Sequence, residues 1–340
     1  MILLIQEQNF GIEIEMTGIT RANAAAVLAE YFGTAVKYIG GTYDKYRVND
    51  RQGRSWNLVS DRSIRTYKKQ GNKLIDASRD FSVELVSPIC EYKDIELIQE
   101  LVRKLRKAGA VTNESTGIHV HIDASRFDAA SLRNLTNIIR SKEDILYKAL
   151  QVKVSREYYC QKVDESFLTE LNKKKPKTRE KLKSIWYKGI DGSSVHYHES
   201  RYHALNLHSV FQKGTVEFRM FNSTLHAGKV KAYIQLSLAI CAQALTQKRA
   251  SYTRTVSANE KYTFRTWLLR LGMIGDEFKT ARTHLLEHLD GNIAWKDPSQ
   301  IEKQKQRFLE RKLEADRLFH AEEILDHQES EEQEYGGMSL

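Results

Sequence analysis

The sequence predicts an α+β protein, a largely antiparallel sheet with its helices on one side, and three segments carry that prediction. In Gly11-Ile12-Glu13-Ile14-Glu15-Met16, Gly117-Ile118-His119-Val120-His121-Ile122-Asp123 and Thr215-Val216-Glu217-Phe218-Arg219-Met220, ionisable side chains alternate with apolar ones. Successive side chains of a strand point to opposite faces, so each segment sorts its charges from its apolar residues. A sheet that buries Ile12, Ile14, Val120, Ile122, Val216 and Phe218 therefore presents Glu13, Glu15, His119, His121, Glu217 and Arg219 on its open face. Charge at that density is costly unless a metal ion, a phosphate or both sit among it.

The remaining elements follow in order. Phe10–Met16 reads as a strand and Ala22–Phe32 as a helix ended by Gly33. Ala35–Ile39, Tyr43–Val48 and Ser55–Val59 read as strands, the last two joined by a turn through Asn49-Asp50-Arg51-Gln52-Gly53. Ser82–Ser87 is a further strand, stopped by Pro88, and it places Glu84 alone among apolar neighbours. Tyr92–Ala108 repeats Ile95, Ile98, Leu101, Val102 and Leu105 at helical spacing, with Gly109 as its stop. Ile118–Asp123 is a strand and Ala129–Leu150 a long amphipathic helix. Residues 153–194 are lysine-rich and weakly patterned, an expected insertion or lid with some mobility. His203–His208 and Thr215–Phe221 are expected as a hairpin turning at Gln212-Lys213-Gly214, and Lys229–Thr246 as a helix. The domain division expected is a catalytic domain over 1–250, a helical region over 251–326 and an acidic, disordered tail over 327–340.

Composition bounds the function. With 340 residues and 41% hydrophobic content the chain can bury a real core, and 29% charged residues is ordinary for a soluble protein. The net charge of +9 is unevenly spread. Lys153 to Lys188 is basic, whereas Glu322 to Glu334 holds six Glu and one Asp without a Lys or Arg. So modest an excess suits anionic nucleotides or an acidic polypeptide as well as nucleic acid, and nucleic acid is disfavoured. Cys90, Cys160 and Cys241 are widely spaced and form neither a disulfide framework nor a zinc knuckle. Met1-Ile2-Leu3-Leu4-Ile5 is too short for a signal sequence, and no apolar run is long enough to span a membrane, so the expected location is the cytoplasm. His196, His198, His203 and His208 straddle a loop and both faces of a strand, a poor spacing for a metal site, and Trp186 and Trp295 read as packing residues.

Six segments together resemble the amidoligase family, the carboxylate–amine ligases of the glutamine synthetase and glutamate–cysteine ligase superfamily. They are Phe10-Gly11-Ile12-Glu13-Ile14-Glu15, Trp56-Asn57-Leu58-Val59-Ser60-Asp61-Arg62-Ser63, Val83-Glu84-Leu85-Val86-Ser87-Pro88, Gly117 to Asp123, Arg201-Tyr202-His203-Ala204-Leu205-Asn206-Leu207 and Thr215-Val216-Glu217-Phe218-Arg219. The resemblance covers roughly residues 9 to 225 and implies a curved antiparallel sheet whose concave face holds ATP with two or more divalent ions. By motif position Glu13, Glu15, Glu84, His119 and Glu217 then correspond to ligands of Mg²⁺ or Mn²⁺, hard ions that take oxygen donors and, for Mn²⁺, an imidazole. His121, Arg219 and Arg201 correspond to groups holding phosphates, and Asp61, Ser63 and Asn206 to a substrate-side motif.

The implied reaction is amide formation through an acyl phosphate, with Arg219, His121 and Asp61 as catalytic residues and ATP and Mg²⁺ or Mn²⁺ as cofactors. Such an intermediate hydrolyses in water, which gives a lid over 153–194, hinged at Lys188-Gly189-Ile190-Asp191-Gly192, a purpose. Two alternatives stay open: a phosphotransferase of the same fold, like the guanidino kinases, and a non-catalytic nucleotide-binding protein. The partners expected are a small-molecule or peptide carboxylate and an amine, with ammonia supplied by a glutamine amidotransferase partner as one route. The ending Gly336-Gly337-Met338-Ser339-Leu340 suggests a modifier-like tail, against the simpler reading of a flexible terminus.

Overall fold

A computed structural model describes residues 2–297, 299–300, 302–315 and 317–318. The strands are β1 (Phe10–Met16), β2 (Val36–Gly40), β3 (Lys45–Asn49), β4 (Ser55–Val59), β5 (Tyr67–Gln70), β6 (Lys73–Asp76), β7 (Val83–Val86), β8 (Gly117–Asp123), β9 (Leu205–Asn206) and β10 (Thr215–Asn222). Eight of them build one sheet in the order β2-β3-β4-β7-β1-β8-β10-β9, every neighbouring pair antiparallel. The three patterned strands are thus contiguous, with β7 alongside. The mixed helix-and-sheet class and the large antiparallel sheet agree with the expectation.

The helices are α1 (Ile2–Gln6), α2 (Arg21–Phe32), α3 (Ile95–Lys107), α4 (Ala129–Leu150), α5 (Glu165–Lys174), α6 (Arg179–Trp186), α7 (His208–Gln212), α8 (Ala227–Thr246), α9 (Glu260–Arg270) and α10 (Lys279–Leu286). Thr20 caps the first turn of α2, and Gly33, at φ 68°, closes its end with its N–H on the carbonyls of Ala29 and Glu30. The five periodic residues of α3 are all buried. In α4, Asp128 and Ser131 form a reciprocal capping pair. α8 is buried almost around its whole circumference and packs against α1, α3, α4 and α10. Beneath this layer Ile12, Ile14, Leu85, Ile118, Val120, Val216 and Phe218 are fully buried.

Three expectations need correction. Residues 153–194 are not weakly structured: α5 and α6 are capped by Asp164 and Thr178, and they bury Phe167, Leu168, Leu171 and Leu182. Their polar faces hide the apolar stripe among lysines. Residues 203–208 do not pair as one arm of a hairpin; only Leu205–Asn206 pairs with β10, and the short helix α7 then intervenes. The hairpin of β5 and β6 was not expected at all, because Tyr-Lys-Lys-Gln and Lys-Leu-Ile-Asp lack an apolar alternation.

The chain forms two compact units, residues 1–256 with 264–289, and residues 257–263 with 290 onward. In the second, the Asn259 amide donates to the Trp295 carbonyl at 2.6 Å. The part of the acidic tail expected over 327–340, including Gly336-Gly337, lies outside the described residues. All three cysteines are free and buried. No helix among the described residues is long and apolar enough to cross a membrane.

One polar knot ties the β3–β4 turn to the start of α3. Asp50 accepts from the backbone N–H of Gln52 and Arg54, from Arg54 Nε at 2.8 Å and from Trp56 Nε1 at 3.2 Å. Arg54 also forks onto both oxygens of Asp94 at the start of α3. For Asp50 and Asp94 alike, burial pushes the carboxyl up, but these hydrogen bonds outweigh it and hold both below the usual range. Asp50→Ala is expected to cost about 2–4 kcal/mol, since it strands a buried indole N–H and half of a guanidinium. The two groups stabilise the fold above the unfolded carboxylate pKa, and that stability is lost as pH falls through the depressed folded values. Denaturant melts at neutral and acid pH check both points; a variant as stable as the parent at neutral pH would reject the first.

Candidate active site

The register of the sheet converts four sequence motifs into one cluster. Glu13 pairs across the ladder with His119, Glu15 with Glu84, and His121 with Glu217, so all six lie on the face opposite the helices. β10 carries a one-residue bulge between Phe218 and Phe221. It keeps Arg219 beside Glu217 on the charged face while returning Phe221 to the core opposite Ile118.

The side chains meet closely. Glu13 Oε2 lies 3.0 Å from His119 Nδ1, and Glu13 Oε1 lies 3.2 Å from His121 Nε2. Glu217 Oε1 accepts from Arg219 Nη1 at 2.5 Å, and its other oxygen accepts from Asn206 Nδ2 at 2.6 Å. The Gly117 N–H donates to Glu15 Oε2 at 2.6 Å. Three sets of donor atoms converge within reach of a single ion: Glu13, Glu84 and His119; Glu13, His121 and Glu217; and Glu15, Asp61 and Glu84. Glu13 belongs to two of the sets and Glu84 to two.

Electrostatics divides these residues by charge. Burial would raise Glu13, but His121 and His119 outweigh it and keep it well below the usual range. Burial is likewise overcome at Glu217, where Arg219 and the two histidines hold the carboxyl at about 2. Burial and the charge of Arg219 depress His119 to about 4, leaving a neutral imidazole with a lone pair to offer. His121 goes the other way, since Glu13 and Glu217 outweigh burial and favour its cation. Burial raises Glu15 to about 7, helped by Asp61, and burial with Glu13, Glu15 and Asp61 raises Glu84 well above a normal carboxyl. Among the described residues, no cation stands within ion-pair distance of Glu15 or Glu84.

A divalent ion fits this arrangement. The donors are hard oxygens with one neutral imidazole, and two of the acids have no cation within ion-pair distance among the described residues. Metal uptake should therefore be pH-dependent in a definite direction. Above the Glu15 value of about 7 the carboxylate is ready to ligate; below it a proton must leave first, so affinity falls as pH drops. Mn²⁺ titrations between about pH 8 and about pH 6 should lose on the order of tenfold per released proton per pH unit. Affinity that stays flat over that range would rule the assignment out.

Of the residues singled out from sequence, Glu13, Glu15, Glu84, His119, His121, Glu217 and Arg219 are brought together directly. Asp61 joins Glu15 and Glu84 as a third acid, and Ser63 fixes it, its N–H and hydroxyl both on Asp61 Oδ1 at 2.6 Å. Asn206 serves Glu217. Arg201 is not in the cluster; its guanidinium stacks on Tyr197 and Tyr202 at 5.3 and 5.9 Å. His198 and His208 pack with Tyr187, while His203 packs on Trp186, and the four histidines form no metal-ligating group among the described residues. Sequence reasoning missed Lys213, 3.9 Å from Glu13, and the hydroxyl pair Thr215 and Ser209 that holds His121 Nδ1. It also missed Arg156, a buried arginine from the basic segment. Nothing in its local pattern marks it.

A sequence model of the family described as "Putative amidoligase enzyme" matches residues 6–241, well over half of the chain. No curated protein matches the sequence. Among solved structures, a bifunctional glutathione synthetase from Pasteurella multocida matches with a TM-score of 0.38 at 10% identity. The match covers 84% of this chain and 48% of that one, so the chain spans about half the length of that protein.

Proposed function

We infer from its family, for the chain belongs to the putative amidoligase enzymes, that it is an ATP-dependent carboxylate–amine ligase with a glutamine synthetase-like sheet. The observation that carries the reading is the shared position of Glu13, common to two convergent donor sets on one face of the sheet. Two ions held by common carboxylates suit the handling of a polyphosphate better than a single structural ion would. Glu13, Glu15, Glu84, His119 and Glu217 would hold Mg²⁺ or Mn²⁺, which when bound neutralises phosphate charge and makes the γ-phosphorus open to attack.

The rest falls to the protein's own side chains. A substrate carboxylate oxygen attacks the γ-phosphorus, the bond to ADP breaks, and an acyl phosphate forms. His121 as a cation and Arg219 stabilise charge on the transferring group. The amine then attacks the acyl carbon and phosphate leaves. Asp61 takes the proton the amine loses at Oδ2, because Ser63 occupies Oδ1. Water must be kept from the acyl phosphate. The hydroxyls of Tyr43, before β3, and Tyr197, before β9, meet at 2.9 Å, and we assign the stretch around Tyr197, with residues 153–194, to that cover. On this reading residues 1–250 contain the catalytic domain.

The test is release of ADP and phosphate over amino acids, peptides and polyamines, with product mass measured. Release that requires both a carboxylate and an amine, with a product lighter by one water than their sum, is the expected result. Phosphorylation of a guanidine without amide formation would replace this reading by the phosphotransferase one.

A further inference from the structure

We propose that Arg156, laid over Gly117 beside Arg219, forms an oxyanion subsite at the Glu15 end of the charged face. The inference rests on the ligase reading for its chemistry, and on the following geometry for its place. Four arginines are buried among the described residues: Arg21, Arg140, Arg156 and Arg219. Arg21 pairs with Asp44, Arg140 with Glu143 and Glu165, and Arg219 with Glu217. Arg156 alone has no carboxylate within ion-pair distance among the described residues. Its one side-chain hydrogen bond to oxygen runs from Nη2 to the Arg219 carbonyl at 3.0 Å, and its buried Nε has no partner. A buried guanidinium without an anion is an expensive arrangement, more so with a second arginine nearby. Glu15 stands near it but beyond ion-pair distance.

Gly117 shows that the placement is built rather than incidental. A Cβ there would sit 1.9 Å from Nη1, 2.3 Å from Nη2 and 2.5 Å from Cζ of Arg156. The guanidinium thus occupies the volume of the missing side chain, on the same residue whose N–H anchors Glu15. The shared chemistry of the ligand is a planar or tetrahedral oxyanion, matched by the guanidinium fork. Its source is either the γ-phosphoryl group of ATP or the carboxylate of the substrate.

Two variants of the full chain separate the subsite from folding. Arg156→Lys keeps the charge but loses the fork, and Gly117→Ala keeps Arg156 but displaces the end of its flexible side chain. Binding to the Mg²⁺-loaded protein is measured for inorganic phosphate, acetate, MgATP and MgADP, alongside thermal melts. Both variants should bind inorganic phosphate at least about tenfold more weakly while melting close to the parent. Loss of MgATP affinity with MgADP unchanged places the γ-phosphoryl group at Arg156. Weaker acetate binding with both nucleotides unchanged places the substrate carboxylate there. Binding of all four probes within about twofold of the parent in both variants overturns the subsite, as does a parent that binds neither phosphate nor acetate. A parent that binds no MgATP would instead overturn the ligase reading, and the phosphate and acetate arms would still decide the subsite.

Discussion

Replacing Glu13 by alanine is expected to abolish ATP turnover, a loss on the order of a thousandfold or more, while the protein stays folded. The size follows from its double membership, with Glu84 and His119 in one donor set and with His121 and Glu217 in another. Its removal thins two candidate ion sites at once, and metal activation of a phosphoryl group is worth several kcal/mol. The fold should tolerate the change because Glu13 is one of the charges that raise Glu84, so its loss relieves repulsion on the face. His121 loses a partner 3.2 Å away and should titrate lower. Mn²⁺ binding, turnover and thermal melts on the same preparation test all three points. Full turnover, or unchanged Mn²⁺ stoichiometry, would remove Glu13 from the site.

Arg219→Ala is the second large effect expected, a fall in kcat of about a hundredfold to a thousandfold with a smaller change in the KM for ATP. The guanidinium is nine-tenths buried, held at 2.5 Å by Glu217, and its Nε has no hydrogen-bond partner. Burial disfavours the Arg219 cation, but Glu217 more than compensates, so the charge is fixed in place before any ligand arrives. Without it, Glu217 loses the strongest influence keeping it near 2, and burial pulls the carboxyl upward. Arg219 also holds Glu15 down, so without it the fall in metal affinity should set in above the parent's value of about 7. Arg219→Lys should recover part of kcat, since charge survives but the planar fork does not. An alanine variant with normal kcat would assign Arg219 to structure alone.

The face of the sheet was legible because strands between a helix layer and an open side obey a period of two. Glu13, Glu15, Glu84, His119, His121, Glu217 and Arg219 all announce themselves as charges set among buried Ile, Val, Leu and Phe. Which strands lie side by side was not legible from periodicity, since β7-β1-β8-β10 joins segments far apart in sequence. The sharing of Glu13 and Glu84 depends on that order. Arg156 was illegible for another reason: it enters from a 3₁₀ turn of a lysine-rich segment, where one more basic residue carries no signal. Arg201 shows the converse. Its motif position suggested phosphate, whereas its surroundings are the rings of Tyr197 and Tyr202.

The bulge in β10 has a consequence for how this protein can change. It acts as a clutch between two halves of one strand: Thr215–Phe218 keep step with Asp123–Val120, while Phe221–Asn222 keep step with Ile118–Gly117 one residue out of phase. Deleting Met220 would re-engage the halves in a regular ladder, with Phe221 still opposite Ile118 and Arg219 facing His119. Substitutions on the two halves can therefore accumulate independently, and loss of the one extra residue between them is the length change that leaves both registers intact. Insertions among relatives that keep this chemistry should accordingly collect in the loops flanking β10 and spare its middle.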